Sequence, residues 1–352
     1  MDSIETSSYQ VHFNARAFTA LKAHLQKAGY SKVFILVDEN THACCLPPFL
    51  EGMGQLPGHE LLRIRSGEEH KNIATCMQLW EALSEKDADR KSLLINLGGG
   101  VLTDLGGFVA STFKRGIAFI NVPTTLLSMV DASIGGKTGV DLGPLKNQVG
   151  VINQPLMVLI VEGFLKTLDQ RQMRSGFAEM LKHGLIRNKS YWDALKDLPS
   201  VQEAAPFIYD SVRIKNEVVL QDPREEHLRK ILNYGHTLGH AIESYYLEKG
   251  KDMLLHGEAI AIGMILEAYL SHKLCGMDAA TMDAIKGAFL RRYPRVAMGK
   301  GDISQILELL KFDKKNTHGR INFVLLKDIG VPAIDVTVPV NLFEEAFAYY
   351  ME

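Results

Sequence analysis

The sequence predicts an α/β amino-terminal domain with a parallel Rossmann-like sheet, followed by an all-α carboxyl-terminal domain. Before about residue 165 short β-branched runs alternate with amphipathic stretches, and afterwards apolar residues recur at spacings of three and four. At 352 residues the chain also exceeds the size at which a single core stops growing, so two domains are expected, over residues 1–165 and 166–352. The expected strands are Lys32–Asp38, Ser92–Leu97, Ile117–Val122 and Met157–Val161. Each is a near-continuous apolar run, as in strands buried on both faces of a parallel sheet. The expected helices include Gly176–His183, Ala205–Leu220, Ile231–Tyr246 and Glu258–Leu274. Segments such as Asp222–Glu226 and Lys311–Gly319, rich in Gly, Pro and charge, are punctuation between them.

Composition narrows the function classes. The chain is 46% hydrophobic and 23% charged, an ordinary globular balance. Lys plus Arg number 39 against 41 Asp plus Glu, so a net charge of -2 offers no global attraction for nucleic acid or anionic membrane, and neither is an expected partner. An anionic ligand must be held by a local cluster. The four cysteines form no Cys-x-x-Cys pair, which points to inert thiols in a reducing compartment. With no basic flank and apolar core at the amino terminus, and no apolar run long enough to span a bilayer, the expected location is the cytoplasm.

Two polar stretches in the first half ask for a ligand. Gly98-Gly99-Gly100-Val101 follows a strand and leads to Asp104 and an apolar helix-like stretch. Glycines there let backbone approach a pyrophosphate at a helix amino terminus, although they also serve a tight turn with close helix packing. The G-x-G-x-x-G fingerprint is absent, because its last position is Thr103. Asp38, ending the first strong strand, could accept from ribose hydroxyls or be a plain turn residue. Farther on, Asp131, Lys137, Asp141, Lys146 and Asn147 are interspersed with glycines in a pattern that is neither a helix face nor a half-buried strand. Gly135-Gly136-Lys137-Thr138 lacks the spacing of a nucleoside-triphosphate loop, which leaves an anion pocket as the expectation, with Arg115, Lys137 and Lys146 in glycine-rich turns.

The second half carries histidines at metal-ligand spacing. His236 and His240 stand at i and i+4, so on a helix they share a face, and His256 follows within one loop. Taken alone, the spacing offers His236 and His240 as a ligand pair, with the alternative that both are ordinary polar residues on a half-buried helix. Neighbouring glycines allow close approach, and Glu179, Glu243 and Glu258 supply carboxylates.

Seven segments in order resemble 3-dehydroquinate synthases over nearly the whole chain. They are Gly98–Asp104, Pro123–Leu127, Met129–Gly139, Phe177–Gly184, Leu232–Glu243, the His256-Gly257-Glu258-Ala259 run and Asp313–Lys315. The resemblance implies an NAD-binding first domain and a helical metal- and substrate-binding second domain. It assigns the metal, zinc with cobalt as the other option, to Glu179, His236 and His256, and moves His240 from ligand to substrate contact. NAD contacts fall on Asp38, Glu68, Lys71, Gly99, Gly100, Val101, Asp104, Thr124, Thr125, Lys137, Lys146 and Thr167. Substrate and catalytic groups fall on Asp131, Lys137, Lys146, Asn147, Lys182, Lys215, Arg229, Asn233, His240 and Lys314, with Arg115 reaching across a homodimer interface.

The implied reaction converts 3-deoxy-D-arabino-heptulosonate 7-phosphate to 3-dehydroquinate and phosphate in the shikimate pathway. It runs through NAD-dependent oxidation, phosphate elimination, reduction and intramolecular aldol closure, so the cofactor is regenerated each cycle. Related cyclases of the 2-epi-5-epi-valiolone or 2-deoxy-scyllo-inosose synthase type share the metal and NAD residues, and a metal-dependent polyol dehydrogenase is a third possibility. Arg229, Asn233 and Lys314 favour the carboxylated substrate. Asn153, where many members have histidine, and a longer 245–255 loop depart from the family pattern.

Overall fold

The computed structural model describes residues 1–54, 56, 58–143, 145–247, 249–250, 253–310 and 321–352. Lys314, and with it the Asp313–Lys315 segment, therefore lies outside the described residues. The chain divides into two compact units, Met1–Asp169 and Gln170–Glu352.

The first unit is built on a seven-stranded sheet in the order Ile4–Glu5, Gln10–Phe13, Met157–Ile160, Ala118–Pro123, Leu93–Gly98, Val33–Val37, His59–Arg63. Only the Ile4–Glu5 pairing with Gln10–Phe13 is antiparallel. Every residue of Val33–Val37, Leu93–Gly98 and Met157–Ile160 is buried, which explains why these strands read as unbroken apolar runs. Phe34, Leu36, Leu94 and Phe119 meet Leu102, Leu105 and Phe108 of the Gly100–Thr112 helix in one core cluster. That helix lies very close to the sheet, since a Cβ on Gly106 would fall 2.0 Å from Asn96 Oδ1.

Strand order also fixes where a ligand belongs in this unit. From Val33–Val37 the chain moves out to the edge strand His59–Arg63, then returns on the other side to Leu93–Gly98 and continues away. The direction of winding reverses between Val33–Val37 and Leu93–Gly98. In open α/β sheets ligands bind outside the carboxyl ends of strands at such a reversal. Here those ends lead into Asp38 and Gly99.

Two hairpins depart from the periodicity. The polar stretch that resembled neither helix nor strand forms an antiparallel pair, Lys137–Leu142 with Leu145–Ile152. Its alternation is hidden because Gly139 and Gly150 face each other, where a Cβ would strike the opposing backbone at 2.6 and 2.3 Å. The second unit is predominantly helical, as its spacing predicts, but adds the hairpin Asn322–Asp328 with Val331–Thr337. Phe323, Val324, Leu325 and Leu326 are all buried, and Leu326 N donates to Ser271 Oγ at 2.9 Å.

His256–Cys275 runs through the core of the second unit. Gly257 to Ala268 are all buried, as expected of a helix apolar on every side. The expected Ile231–Tyr246 helix is interrupted: a 3-10 segment covers Leu228–Asn233, and the α-helix proper starts at His236 and ends at Leu247. Gly235 breaks the chain there with a left-handed φ of 79°. Its amide donates to the buried Glu267 carboxylate at 2.6 Å, so the turn is pinned by tertiary structure that local periodicity does not register.

Candidate metal centre and cofactor cradle

In the second unit three helices each deliver one metal donor. Glu179 sits in Gln170–Arg187 and is fully buried, while His236 and His256 are the first residues of their helices. Both imidazole Nε2 atoms lie 3.7 Å from Glu179 Oε1. One donor atom from each of the three residues falls within 4.8 Å of the others. Zinc ligands bonded at about 2.0–2.1 Å in a tetrahedron stand roughly 3.3 Å apart, so this set fits a divalent ion with positions left open for oxygen donors.

Backbone contact brings these helices together. A Cβ on Gly263 would lie 2.0 Å from Gly235 O and 2.8 Å from Gly239 N. At Gly257 it would lie 1.9 Å from Ser175 O. Glycine at these positions lets the helix that starts at His256 press against those bearing His236 and Glu179.

Hydrogen bonding leaves Nε2 of each ring for the shared centre. His236 Nδ1 faces Tyr234 O at 3.1 Å, and His256 Nδ1 faces Glu243 Oε2 at the same distance. Burial alone would lower the His256 pKa, but Glu243 and Glu179 outweigh it and raise the value to about 10. Lys182 is buried one turn from Glu179 and forms an ion pair with it.

His240 shares the helix face that its spacing suggests but falls in a different donor set. Its ring centroid is 5.0 Å from that of His236, yet among the described residues the donor sets place it with Glu243 and His256, never with His236. Asn233 Nδ2 donates to Glu225 Oε1 at 2.5 Å. Arg229 is buried, its backbone N donating to Asp222 Oδ2 at 2.9 Å and its Nη1 to Pro223 O at 2.7 Å. Lys215 is buried on Ile208–Gln221. Glu225 was not among the expected site residues because Asp222–Glu226 reads as a turn; its left-handed φ of 63° marks it only once the structure is known.

The first unit gathers a second polar cluster. Lys71, only 4% exposed, donates through Nζ to Asp104 Oδ2 and Asn147 Oδ1, both at 2.6 Å. Burial would lower its pKa, but Asp104, Glu68 and Asp141 together raise it, so it carries its charge throughout the physiological range. Lys146 pairs with Glu68 at 2.7 Å and approaches Asp141 at 3.9 Å. Asp141 Oδ1 also accepts from Asn147 N at 2.6 Å, which holds Asn147 at a left-handed φ of 50°. Asp141, named with the polar stretch but given no contact of its own, belongs to this network. Burial pushes its carboxyl pKa up against the pull of Lys71.

Beside this cluster the glycine turn is tightly held. Gly99 N-caps the Gly100–Thr112 helix without a side-chain cap, and Val101 lies in the first turn. Thr124 N donates to Gly98 O at 3.0 Å, and Thr125 bonds the Ser128 hydroxyl at 2.9 Å. Asp38 caps the Glu39–Cys44 helix, its Oδ1 accepting from Thr41 N at 2.7 Å. This capping role takes up one of its oxygens. Asp131 is half-buried in Ser128–Ala132, and Lys137 is exposed at the start of its hairpin. Arg115 takes a left-handed φ of 69° in the turn before Gly116, while the Thr167 hydroxyl donates to Phe164 O at 3.2 Å.

A doubly wound unit with a polar cluster at its strand ends, joined in one chain to a helical unit with a Glu-His-His donor set, defines a class of cofactor- and metal-using enzymes. Comparison with known proteins narrows the class. The family description "3-dehydroquinate synthase N-terminal" matches residues 61–175 and "3-dehydroquinate synthase C-terminal" matches residues 176–316. The 3-dehydroquinate synthase of Parabacteroides distasonis is 41% identical over 336 residues, covering 94% of this chain and 95% of that protein. That of Leptospira interrogans is 37% identical over 344 residues, covering 96% and 93%. The chain belongs to the 3-dehydroquinate synthase family.

Solved structures give the same fold. A 2-deoxy-scyllo-inosose synthase complexed with carbaglucose-6-phosphate, NAD+ and Co2+ superposes with a TM-score of 0.85 at 26% identity, covering 98% of each chain. A 2-epi-5-epi-valiolone synthase from Streptomyces hygroscopicus with NAD+ and Zn2+ bound gives 0.80 at 25%, covering 100% of this chain and 99% of that one. A probable glycerol dehydrogenase from Sinorhizobium meliloti, at 0.60 and 14%, shares the fold alone.

Proposed function

We propose that this chain converts 3-deoxy-D-arabino-heptulosonate 7-phosphate to 3-dehydroquinate and inorganic phosphate, acting as a phosphate-eliminating carbon–oxygen lyase of the shikimate pathway. The observation that carries this is the convergence of Glu179, His236 and His256 in a chain 41% identical to a 3-dehydroquinate synthase over nearly its full length. The other cyclases are less similar in sequence, at 25–26%.

Glu179, His236 and His256 would hold a divalent metal, zinc or cobalt, which would supply Lewis-acid chemistry toward a substrate hydroxyl. The glycine turn and the Lys71 cluster would hold NAD, which would supply reversible hydride chemistry to a reaction that is redox-neutral overall.

The protein's own groups bind and orient. The substrate carries a phosphate and a carboxylate, and desolvating such charge requires cations with good hydrogen-bond geometry. Lys137, Lys146, Lys182, Lys215, Arg229 and Lys314 fill that role. Asp131, Asn147, Asn233 and His240 orient hydroxyls, while Asp222 fixes the backbone from which Arg229 projects. Among NAD contacts, Asp38 keeps one carboxylate oxygen beyond its cap for a ribose hydroxyl, and Glu68, Gly99, Gly100, Val101, Asp104, Thr124, Thr125 and Thr167 complete the set. We place the enzyme in the cytoplasm as a homodimer, with Arg115 reaching the partner's site. Among the described residues no helix is long and apolar enough to cross a membrane.

The test is an assay of purified protein with the heptulosonate phosphate and catalytic NAD. Phosphate release without lasting NADH is the expected result, and Lys137→Ala should abolish it while NAD still binds. Accumulating NADH would make the chain a dehydrogenase. Turnover of sedoheptulose 7-phosphate or glucose 6-phosphate in place of the heptulosonate would make it a different cyclase.

A further inference from the structure

The histidine-bearing helix carries a third polar residue on the same face. His236, His240 and Glu243 stand at i, i+4 and i+7, two helical turns in all. Glu243 is buried, 5% exposed, and no role in substrate or cofactor binding falls on it. Its Oε2 lies 3.1 Å from His256 Nδ1, on the side of the ring opposite the Nε2 atom that faces Glu179.

We infer that Glu243 is a positioning residue for the metal centre: it accepts the Nδ1 proton of His256, fixes that ring in the tautomer with its lone pair on Nε2, and strengthens it as a donor. This rests on the metal reading given above. The two imidazoles are treated differently. His236 Nδ1 faces a neutral carbonyl, that of Tyr234, whereas His256 Nδ1 faces a carboxylate. A carboxylate behind a ligating imidazole raises its basicity as well as orienting it, and losing such a partner weakens metal affinity about 10- to 100-fold. His256 needs the support more. It opens its helix, and at 24% side-chain exposure it is less enclosed than His236 at 10%.

The geometry also raises a competing arrangement. His240, Glu243 and His256 present donor atoms within 4.8 Å of one another, so Glu243 could itself bind a second ion. The two arrangements differ in what His240 does. As a positioning residue Glu243 acts without His240; as a ligand it acts with it.

The experiment measures Zn2+ affinity of the full-length protein by chelator competition, together with the visible absorption of the Co2+-loaded protein. Glu243→Ala should weaken Zn2+ binding about 10- to 100-fold and shift the Co2+ bands. The isosteric Glu243→Gln, which keeps an acceptor oxygen without the charge, should lie between it and the unmodified protein. The metal-free melting temperature of Glu243→Gln should match that of the unmodified protein, which separates positioning from a general loss of structure. His240→Ala should leave Zn2+ affinity within about twofold, far inside the shift that loss of a ligand partner produces. Unchanged affinity and spectra in both Glu243 variants would overturn the inference, as would His240→Ala weakening Zn2+ as much as Glu243→Ala. If the unmodified protein binds no metal, the metal reading itself fails; if it binds one ion and Glu243 proves irrelevant, only this inference does.

Discussion

The two units build polar sites in opposite ways. In the first, opposite charges pair: Lys71 with Asp104, and Lys146 with Glu68 and Asp141. In the second, metal-ligating groups converge, with two imidazole Nε2 atoms near one oxygen of Glu179, whose other oxygen pairs with Lys182. The balanced cluster holds its shape by itself and can exchange partners with a polar ligand. The convergent set asks for a cation. They also differ in support, since strand ends and a hairpin carry the first, whereas backbone contact between helices carries the second.

That contrast can be broken at its most sensitive point with Gly257→Val. Because a Cβ there would lie 1.9 Å from Ser175 O, the helix must shift, and the expected cost is roughly 4 kcal/mol or more. Thermal unfolding and metal content should both fall sharply. A variant that keeps full metal content would show that backbone closeness does not assemble the donor set.

A smaller effect is expected in the first unit. Lys71→Met leaves Asp104 without its buried cation, which should cost about 3 kcal/mol in denaturant unfolding and weaken NAD binding. Metal affinity should be unaffected, and a parallel loss of metal would mean that the two sites are not independently built. The smallest effect concerns the thiols beside the strand ends. Burial pushes Cys45 up to about 11, against a hydrogen bond from Thr124, while Cys44 is exposed. Iodoacetamide at pH 8 should label Cys44 well ahead of Cys45. Equal labelling would argue that the strand ends open readily and that the first cluster is not a rigid cradle.

Legibility in the sequence followed how local each signal was. Val33–Val37, Leu93–Gly98 and Met157–Ile160 were visible because strands covered on both faces carry apolar residues without a break. The Lys137–Ile152 hairpin was not, because paired glycines replaced the alternating side chains that announce a strand. Glu225 escaped for a related reason: it is an acidic residue in a turn-like stretch, and only its partner, Asn233, sets it apart. The resemblance to a family supplied the metal trio, which spacing alone had put on His236 and His240.

By itself, then, the sequence determined the two-part architecture and the kinds of groups available for chemistry, since helix and strand periodicity are properties of short segments and side-chain type is read residue by residue. Tertiary structure decided which histidines share Glu179 and which faces Glu243. The rule that i and i+4 share a helix face relates residues within one element only. Glu179, His236 and His256 stand on three helices, and their meeting depends on how closely the backbones at Gly235, Gly257 and Gly263 approach.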